Sequence, residues 1–204
     1  MRVIAGGARG RPLQIPKSDT RPTTDKVKGA IFSMLEAEAM RRGYEPTTRE
    51  EGGEVQFAAT AAWPTWLDLY AGSGALGIEA LSRGAERADF VERDPEARKV
   101  IAANLARTRL AARGHVLAIS AERLFAAPEA RYDVVLLDPP YQEVEPGDVL
   151  RRVAEAGLVK PRGLVVLEHA RDHPAPEQVS SLRLLRTRRH GGTSISLYET
   201  MVEE

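Results

Sequence analysis

A chain of 204 residues, 43% hydrophobic and 28% charged, suits one globular domain with a large core and room for a small appendage. Its 29 basic and 29 acidic residues leave a formal net charge of +0, which argues against a wholesale polyanion binder. It has no cysteine, so disulfides, thiolate metal sites and a cysteine nucleophile are excluded, as suits a cytosolic protein; no apolar run has the length of a membrane span or of a signal peptide.

The charge is unevenly placed. The N-terminal 28 residues carry Arg2, Arg9, Arg11, Lys17, Arg21, Lys26 and Lys28 against Asp19 and Asp25, and a second cluster is Arg183, Arg186, Arg188 and Arg189. Basic poles on a neutral chain are compatible with a localised phosphate-binding face. Residues 2–16 are predicted as a hairpin, with Val3-Ile4-Ala5 and Pro12-Leu13-Gln14-Ile15 flanking a Gly- and Arg-rich turn. Arg9 and Arg11 at its tip suit contact with a phosphate backbone.

Next comes Arg21-Pro22-Thr23-Thr24-Asp25, then a predicted helix over 25–42 with Thr23 or Thr24 as N-cap and Asp25 in the dipole-favoured first turn. Val27, Ile31, Met34 and Leu35 form its apolar stripe, and Glu38, next on that face, marks where the stripe leaves the core. Residues 44–64, with Gly52, Gly53 and Pro64, break the periodicity and are expected as a flexible connector containing a short strand near Val55. The expected organisation is therefore an N-terminal hairpin–helix appendage (1–43), that connector, and a catalytic domain over 65–204.

From Trp66 onward strands and helices alternate, the pattern of a doubly wound, mostly parallel α/β sheet, here expected with seven strands. Strands are predicted at 66–70, 88–92, 115–119, 133–138 and 163–168, with an antiparallel pair at 182–185 and 195–198. Helices are predicted at 75–83, after Asp94-Pro95 and at 147–156.

Between the first of these strands and its helix lies Asp68-Leu69-Tyr70-Ala71-Gly72-Ser73-Gly74-Ala75-Leu76-Gly77. Small residues let a ligand approach the backbone, and the helix N-terminus offers free N–H groups. The G-x-G-x-x-G pattern, with Glu92 at the spacing of a ribose-binding acid, raises a nicotinamide dinucleotide as an alternative. Asp68 weighs against it: a carboxylate facing the glycine loop suits the ammonium of a methionine moiety and would repel a pyrophosphate. S-adenosylmethionine is the expected cofactor, held by Asp68, Ala71, Gly72, Ser73, Gly74, Gly77, Glu92 and Arg93, with Ala121 and Glu122 beside the adenine.

The strand at 133–138 carries four successive apolar residues, Val134–Leu137, and ends in Asp138-Pro139-Pro140-Tyr141, at the edge where parallel sheets place ligand chemistry. An exocyclic amine is a poor nucleophile, and Asp138 with the Pro139 carbonyl can accept its two hydrogens. The prolines aim that carbonyl in advance, while Tyr141 stacks on the ring. His169 and His173 have helical metal-ligand spacing but follow a strand and precede Pro174, with no acid cluster to complete a set, so no metal is expected.

Arg21-Pro22-Thr23-Thr24-Asp25, Tyr70-Ala71-Gly72-Ser73-Gly74 and Asp138-Pro139-Pro140-Tyr141, in this order, resemble the bacterial RsmD family, 16S ribosomal RNA guanine-N2 methyltransferases of the class I, Rossmann-like fold. The resemblance spans nearly the whole chain. It implies methyl transfer from S-adenosylmethionine to a guanine N2 in the small-subunit RNA, free or in an assembling particle, by a cytoplasmic monomer. It places Arg9, Arg11, Arg21, Thr23 and Thr24 on the RNA. Ala121 departs from the acid that many class I methyltransferases place at the adenine amine, a role Glu122 could take. The remaining alternatives are methylation of adenine N6 or a protein glutamine amide, and a non-catalytic RNA-binding module.

Overall fold

The computed structural model describes residues 1–17, 23–48, 55–128, 130–140 and 145–201. The chain runs α1 (Asp25–Arg41), β1 (Thr47–Thr48), β2 (Val55–Gln56), α2 (Ala58–Ala62), β3 (Thr65–Leu69), α3 (Ala75–Ser82), β4 (Arg87–Val91), α4 (Pro95–Thr108) and β5 (Gly114–Leu117). It continues with α5 (Ala121–Ala126), β6 (Tyr132–Leu137), α6 (Pro146–Glu155), β7 (Val159–Ala170), β8 (Gln178–Val179), β9 (Leu182–His190) and β10 (Thr193–Thr200). The main sheet has eight strands in the order β5-β4-β3-β6-β7-β10-β9-β8. Five are parallel, and β10, β9 and β8 close one edge antiparallel. The expected seven become eight through the two-residue β8, which is too short to leave an alternation in the sequence.

The chain enters the sheet at β3, moves outward to β4 and β5, then crosses back to β6. The carboxyl ends of β3 and β6 therefore flank the switch point where open α/β sheets bind ligands. Helices cover both faces because the parallel strands are apolar on both. Val134, Leu136, Leu164, Val166, Ile195 and Leu197 share one apolar cluster with residues of α1–α4. Val135, Leu137, Val165 and Leu167 pack instead with α5 and α6.

The predicted N-terminal hairpin forms only as a short pairing. An isolated antiparallel bridge joins Arg2 to Pro12, and beside it Val3 N–H donates to the Arg11 carbonyl at 3.0 Å, Gly10 N–H to the Val3 carbonyl at 2.9 Å and Leu13 N–H to the Met1 carbonyl at 3.1 Å. Toward the turn the backbone amides find side-chain acceptors on α3 instead: Ile4 and Ala5 N–H donate to the Glu79 carboxylate at 2.8 and 3.0 Å, and Ala8 N–H to Ser82 Oγ at 3.0 Å. With those donors satisfied, the pairing need not lengthen into a ladder. Gly6, at φ +80, passes so close to the Ser82 carbonyl that any side chain would collide with it.

Two charges also differ from expectation. Lys28 is not part of a surface pole. It is fully buried, donates to the Arg2 carbonyl at 2.6 Å and lies 3.6 Å from Glu79; burial pushes its pKa down against the pull of Glu79 and Asp25. Glu38 does not leave the core; it is buried because Arg41 and Arg42 both pair with it. In the expected connector, β1 and β2 pair antiparallel and α2 packs into the α1 face of the core, while residues 49–54 lie outside the described residues.

Candidate active site

Asp68 lies in β3 between Phe90 of β4 and Leu136 of β6. It is 2% exposed, and Gly77 N–H donates to its Oδ2 at 2.8 Å. Burial pushes its pKa up to about 7; the Gly77 N–H opposes the rise and nearby Glu92 adds to it. Among the described residues no cationic side chain is paired with it by a salt bridge or hydrogen bond. A desolvated carboxylate with a like charge nearby is a site that a ligand ammonium would stabilise.

The glycine loop wraps around this carboxylate. Gly74, at φ +75, is the N-cap of α3 and lies against Ile101 and Phe90. A side chain at Gly77 would collide with the Phe90 ring, so α3 can lie this close to β3 and β4 only with glycine there. Glu92 braces the loop from the neighbouring strand, accepting Gly72 N–H at 2.9 Å on Oε2 and Asp94 N–H at 2.8 Å on Oε1. Each oxygen keeps a second lone pair for a ligand hydroxyl. Ala71 and Ser73 are buried in the loop and Arg93 is exposed at its rim.

On the far side of the loop, Ser120 caps α5, placing Ala121, 4% exposed, and Glu122 in its first turn. Glu122 is exposed and 3.9 Å from Arg152. Its own backbone N–H, with Ser120, Arg152 and Arg93, holds its carboxyl below the usual range against partial burial.

Asp138 follows the last residue of β6. Thr23 Oγ1 donates to its Oδ2 at 2.6 Å, a bond between residues 115 apart in the chain. Thr24 is the N-cap of α1, its hydroxyl accepting from Val27 N–H at 3.3 Å. Of the neighbouring prolines, Pro139 is buried and Pro140 exposed. Tyr141 and Arg21 lie outside the described residues.

The predicted cofactor residues thus gather at the carboxyl ends of β3, β4 and β5, and Asp138 stands at the adjacent end of β6. Thr23, expected on the RNA, is brought to Asp138. Arg9 and Arg11 are not brought there. The arm bonds Ser82, the last residue of α3, and Arg11 Nη1 donates to the carbonyl of Arg107 in the last turn of α4 at 2.8 Å. The glycine loop is at the opposite end of α3.

Two residues had not been singled out. Asn104, fully buried in α4, donates through Nδ2 to the carbonyls of Ser73 and Gln14 at 2.9 and 3.0 Å and accepts Gln14 N–H at 2.8 Å. Glu79, also fully buried, holds Ile4 and Ala5 and pairs with Arg83 at 2.9 Å. Each is a polar residue on an otherwise apolar helix face, and that is the signal that could have found them. His169 has both ring nitrogens engaged: Nδ1 is 3.0 and 2.8 Å from the carbonyl oxygens of Ala170 and His173, so it carries the proton, and Nε2 is 2.9 Å from Ser196 Oγ. Among the described residues no cluster of His, Cys, Asp and Glu could hold a metal.

Residues 1–199 match the family described as conserved hypothetical protein 95. The YlbH protein of Bacillus subtilis is 36% identical over 203 residues, covering 98% of each chain. The ribosomal RNA small subunit methyltransferase D of Escherichia coli is 28% identical over 200 residues, 98% of this chain and 89% of that one. Among solved structures, the yhhF protein of Escherichia coli superposes with a TM-score of 0.77 at 27% identity, covering 100% of this chain and 99% of the other.

Proposed function

The chain belongs to the family described as conserved hypothetical protein 95, whose relatives include the ribosomal RNA small subunit methyltransferase D proteins, and from that premise we propose that it methylates the exocyclic N2 of a guanine in 16S ribosomal RNA, using S-adenosylmethionine. The observation that carries the chemistry is the placement of Asp138. It stands at the carboxyl end of β6, beside the β3 loop that encloses Asp68, with one oxygen already held by Thr23.

The residues fit this cofactor. Asp68 is a buried carboxylate suited to an ammonium, and Glu92 retains acceptor capacity for ribose hydroxyls. Asp68, the Ala71–Gly74 loop, Gly77 in the first turn of α3, Glu92 and Arg93 would hold it, with Ala121 and Glu122 on the adenine side. When bound it supplies an electrophilic methyl group. Asp138 and the Pro139 carbonyl accept the two N–H hydrogens of the guanine amine, drawing its lone pair out of conjugation, and Thr23 keeps the Asp138 carboxylate turned to that task. Tyr141 stacks on the base and stabilises charge developing on nitrogen. Asp138 or water takes the proton after transfer.

The base has to leave any stack to reach this crevice, so the target is single-stranded or flipped. An RNA in the small subunit or its assembly intermediate places the work in the cytoplasm; among the described residues no helix is long and apolar enough to cross a membrane. The test is Asp138→Ala assayed on small-subunit RNA, with the modified nucleoside identified by mass spectrometry. Methyl transfer is expected to be lost while the S-adenosylmethionine Kd stays within a few-fold, and the wild-type product is expected to be N2-methylguanosine. Retained turnover would remove Asp138 from the chemistry, and an N6-methyladenosine product would overturn the choice of base.

A further inference from the structure

The two basic clusters separate in the fold. Arg9 and Arg11 lie at the C-terminal ends of α3 and α4, whereas β9 carries the other cluster up to the edge of the sheet where Asp138 stands. Pairing rows can be followed across the sheet: Leu137 pairs with Leu167, Leu167 with Ser196 and Ser196 with Thr187. In the next row Glu168 pairs with Ile195 and Ile195 with Arg188. Asp138 follows Leu137, so Arg188 lies in its row, three strands away and roughly 14 Å distant at about 4.8 Å per strand.

Directly paired residues share a face of the sheet. Ile195 and Leu197 belong to the apolar cluster under α1, so their partners Arg188 and Arg186 lie on that same face, the one from which Thr23 reaches Asp138. Both arginines are exposed, and neither guanidinium group is paired by a hydrogen bond or ion pair with a described residue. Glu168 and Ile195, between them and Asp138, are buried, so the row offers guanidinium groups to solvent and withholds its carboxylate. Arg183 is different: it stands at the other end of β9, 3.5 Å from Glu199.

We propose that Arg186 and Arg188 form a phosphate-binding strip that guides the RNA strand toward Asp138. A planar guanidinium matches phosphate oxygens in a bidentate manner. The 14 Å span corresponds to roughly four stacked nucleotides at about 3.4 Å each, so the strip holds the backbone a few nucleotides from the reacting base. The strip rests on the methyltransferase reading only for Asp138 as its end point.

The experiment titrates a small-subunit RNA transcript against wild type and the Arg186→Gln/Arg188→Gln double variant over a range of salt, with methyl transfer followed in parallel. The double variant is expected to bind about tenfold or more weakly, with a salt slope shallower by about 1.5, since each lost phosphate contact removes about 0.7–0.9. Its kcat at saturating RNA and its S-adenosylmethionine Kd should match wild type. Arg183→Gln is expected to bind RNA like wild type. An unchanged slope in the double variant overturns the strip, as does an equal loss from Arg183→Gln. If the wild type binds the RNA without methylating it, the proposed chemistry fails, and the slope of the double variant still decides the strip.

Discussion

The bond from Thr23 to Asp138 can be broken with almost no change in shape. Thr23→Val keeps the branched side chain at a position 9% exposed and removes only the hydroxyl that donates to Asp138 Oδ2 at 2.6 Å. A hydrogen bond to a charged acceptor is worth about 1.5–3 kcal/mol. If it serves to hold the carboxylate in its accepting orientation, that energy appears in the transition state, and kcat falls by about 10- to 100-fold. Single-turnover methyl transfer to small-subunit RNA measures it, with the RNA KM and the S-adenosylmethionine Kd expected to stay within about threefold. Thr23→Ser restores the donor and should recover most of the rate. A Thr23→Val protein with wild-type kcat would refute the argument. So would a Thr23→Ser protein as slow as Thr23→Val, because that would tie the loss to packing and not to the donor.

Asp68 gives a prediction in pH. Its folded pKa of about 7 exceeds the unfolded value of 3.8, so folding takes up a proton between them. For the free protein this group's contribution to stability therefore rises as pH falls from 7 towards 4, whereas S-adenosylmethionine, which needs the charged form, binds more weakly below about pH 7. Calorimetric titrations at pH 6, 7 and 8 check the second statement, and an affinity flat across that range contradicts it. Asp68→Asn should raise the melting temperature of the free protein and weaken cofactor binding by tenfold or more; a lower melting temperature would sink the desolvation argument. Asn104→Ala removes three hydrogen bonds from one buried carboxamide. It should weaken cofactor binding and speed proteolysis of the N-terminal residues together, and a change in only one of the two would show that Asn104 does not join them.

Much of this was legible in the sequence because it is written in local patterns. In β6 the run Val134–Leu137 is apolar and is closed by Asp138 and two prolines, Asp94-Pro95 marks the start of α4, and the glycine loop stands between a strand and a helix. What escaped is held by partners distant in the chain. The hairpin pairs only around Arg2 and Pro12 because the acceptors for Ile4 and Ala8 are Glu79 and Ser82, more than 70 residues away, and no alternation near Ile4 records them. Lys28 has the composition of a surface charge and is buried because α3 brings Glu79 beneath it. Helix α5 spans six residues, too few for a periodic signal. The row from Asp138 to Arg188 exists only as pairing register between strands.

The N-terminal arm connects these findings. Midway along it Gln14 is pinned by Asn104, the same carboxamide that holds the Ser73 carbonyl in the glycine loop. At its end Thr23 holds Asp138. One stretch of chain therefore touches the loop that takes the methyl donor and the acid that takes the acceptor amine. Ahead of both, Ile4 and Ala5 are fixed to Glu79, a carboxylate that must be in place to compensate buried Lys28. The arm's position is set by buried charge on α3, and a shift of the arm relative to α3 would disturb the donor loop and the acceptor acid together. That is a physical reason for a chain to carry its Arg21–Asp25 segment so far in sequence from the Asp138-Pro139-Pro140-Tyr141 motif: the first residues complete a site whose other half is the end of β6.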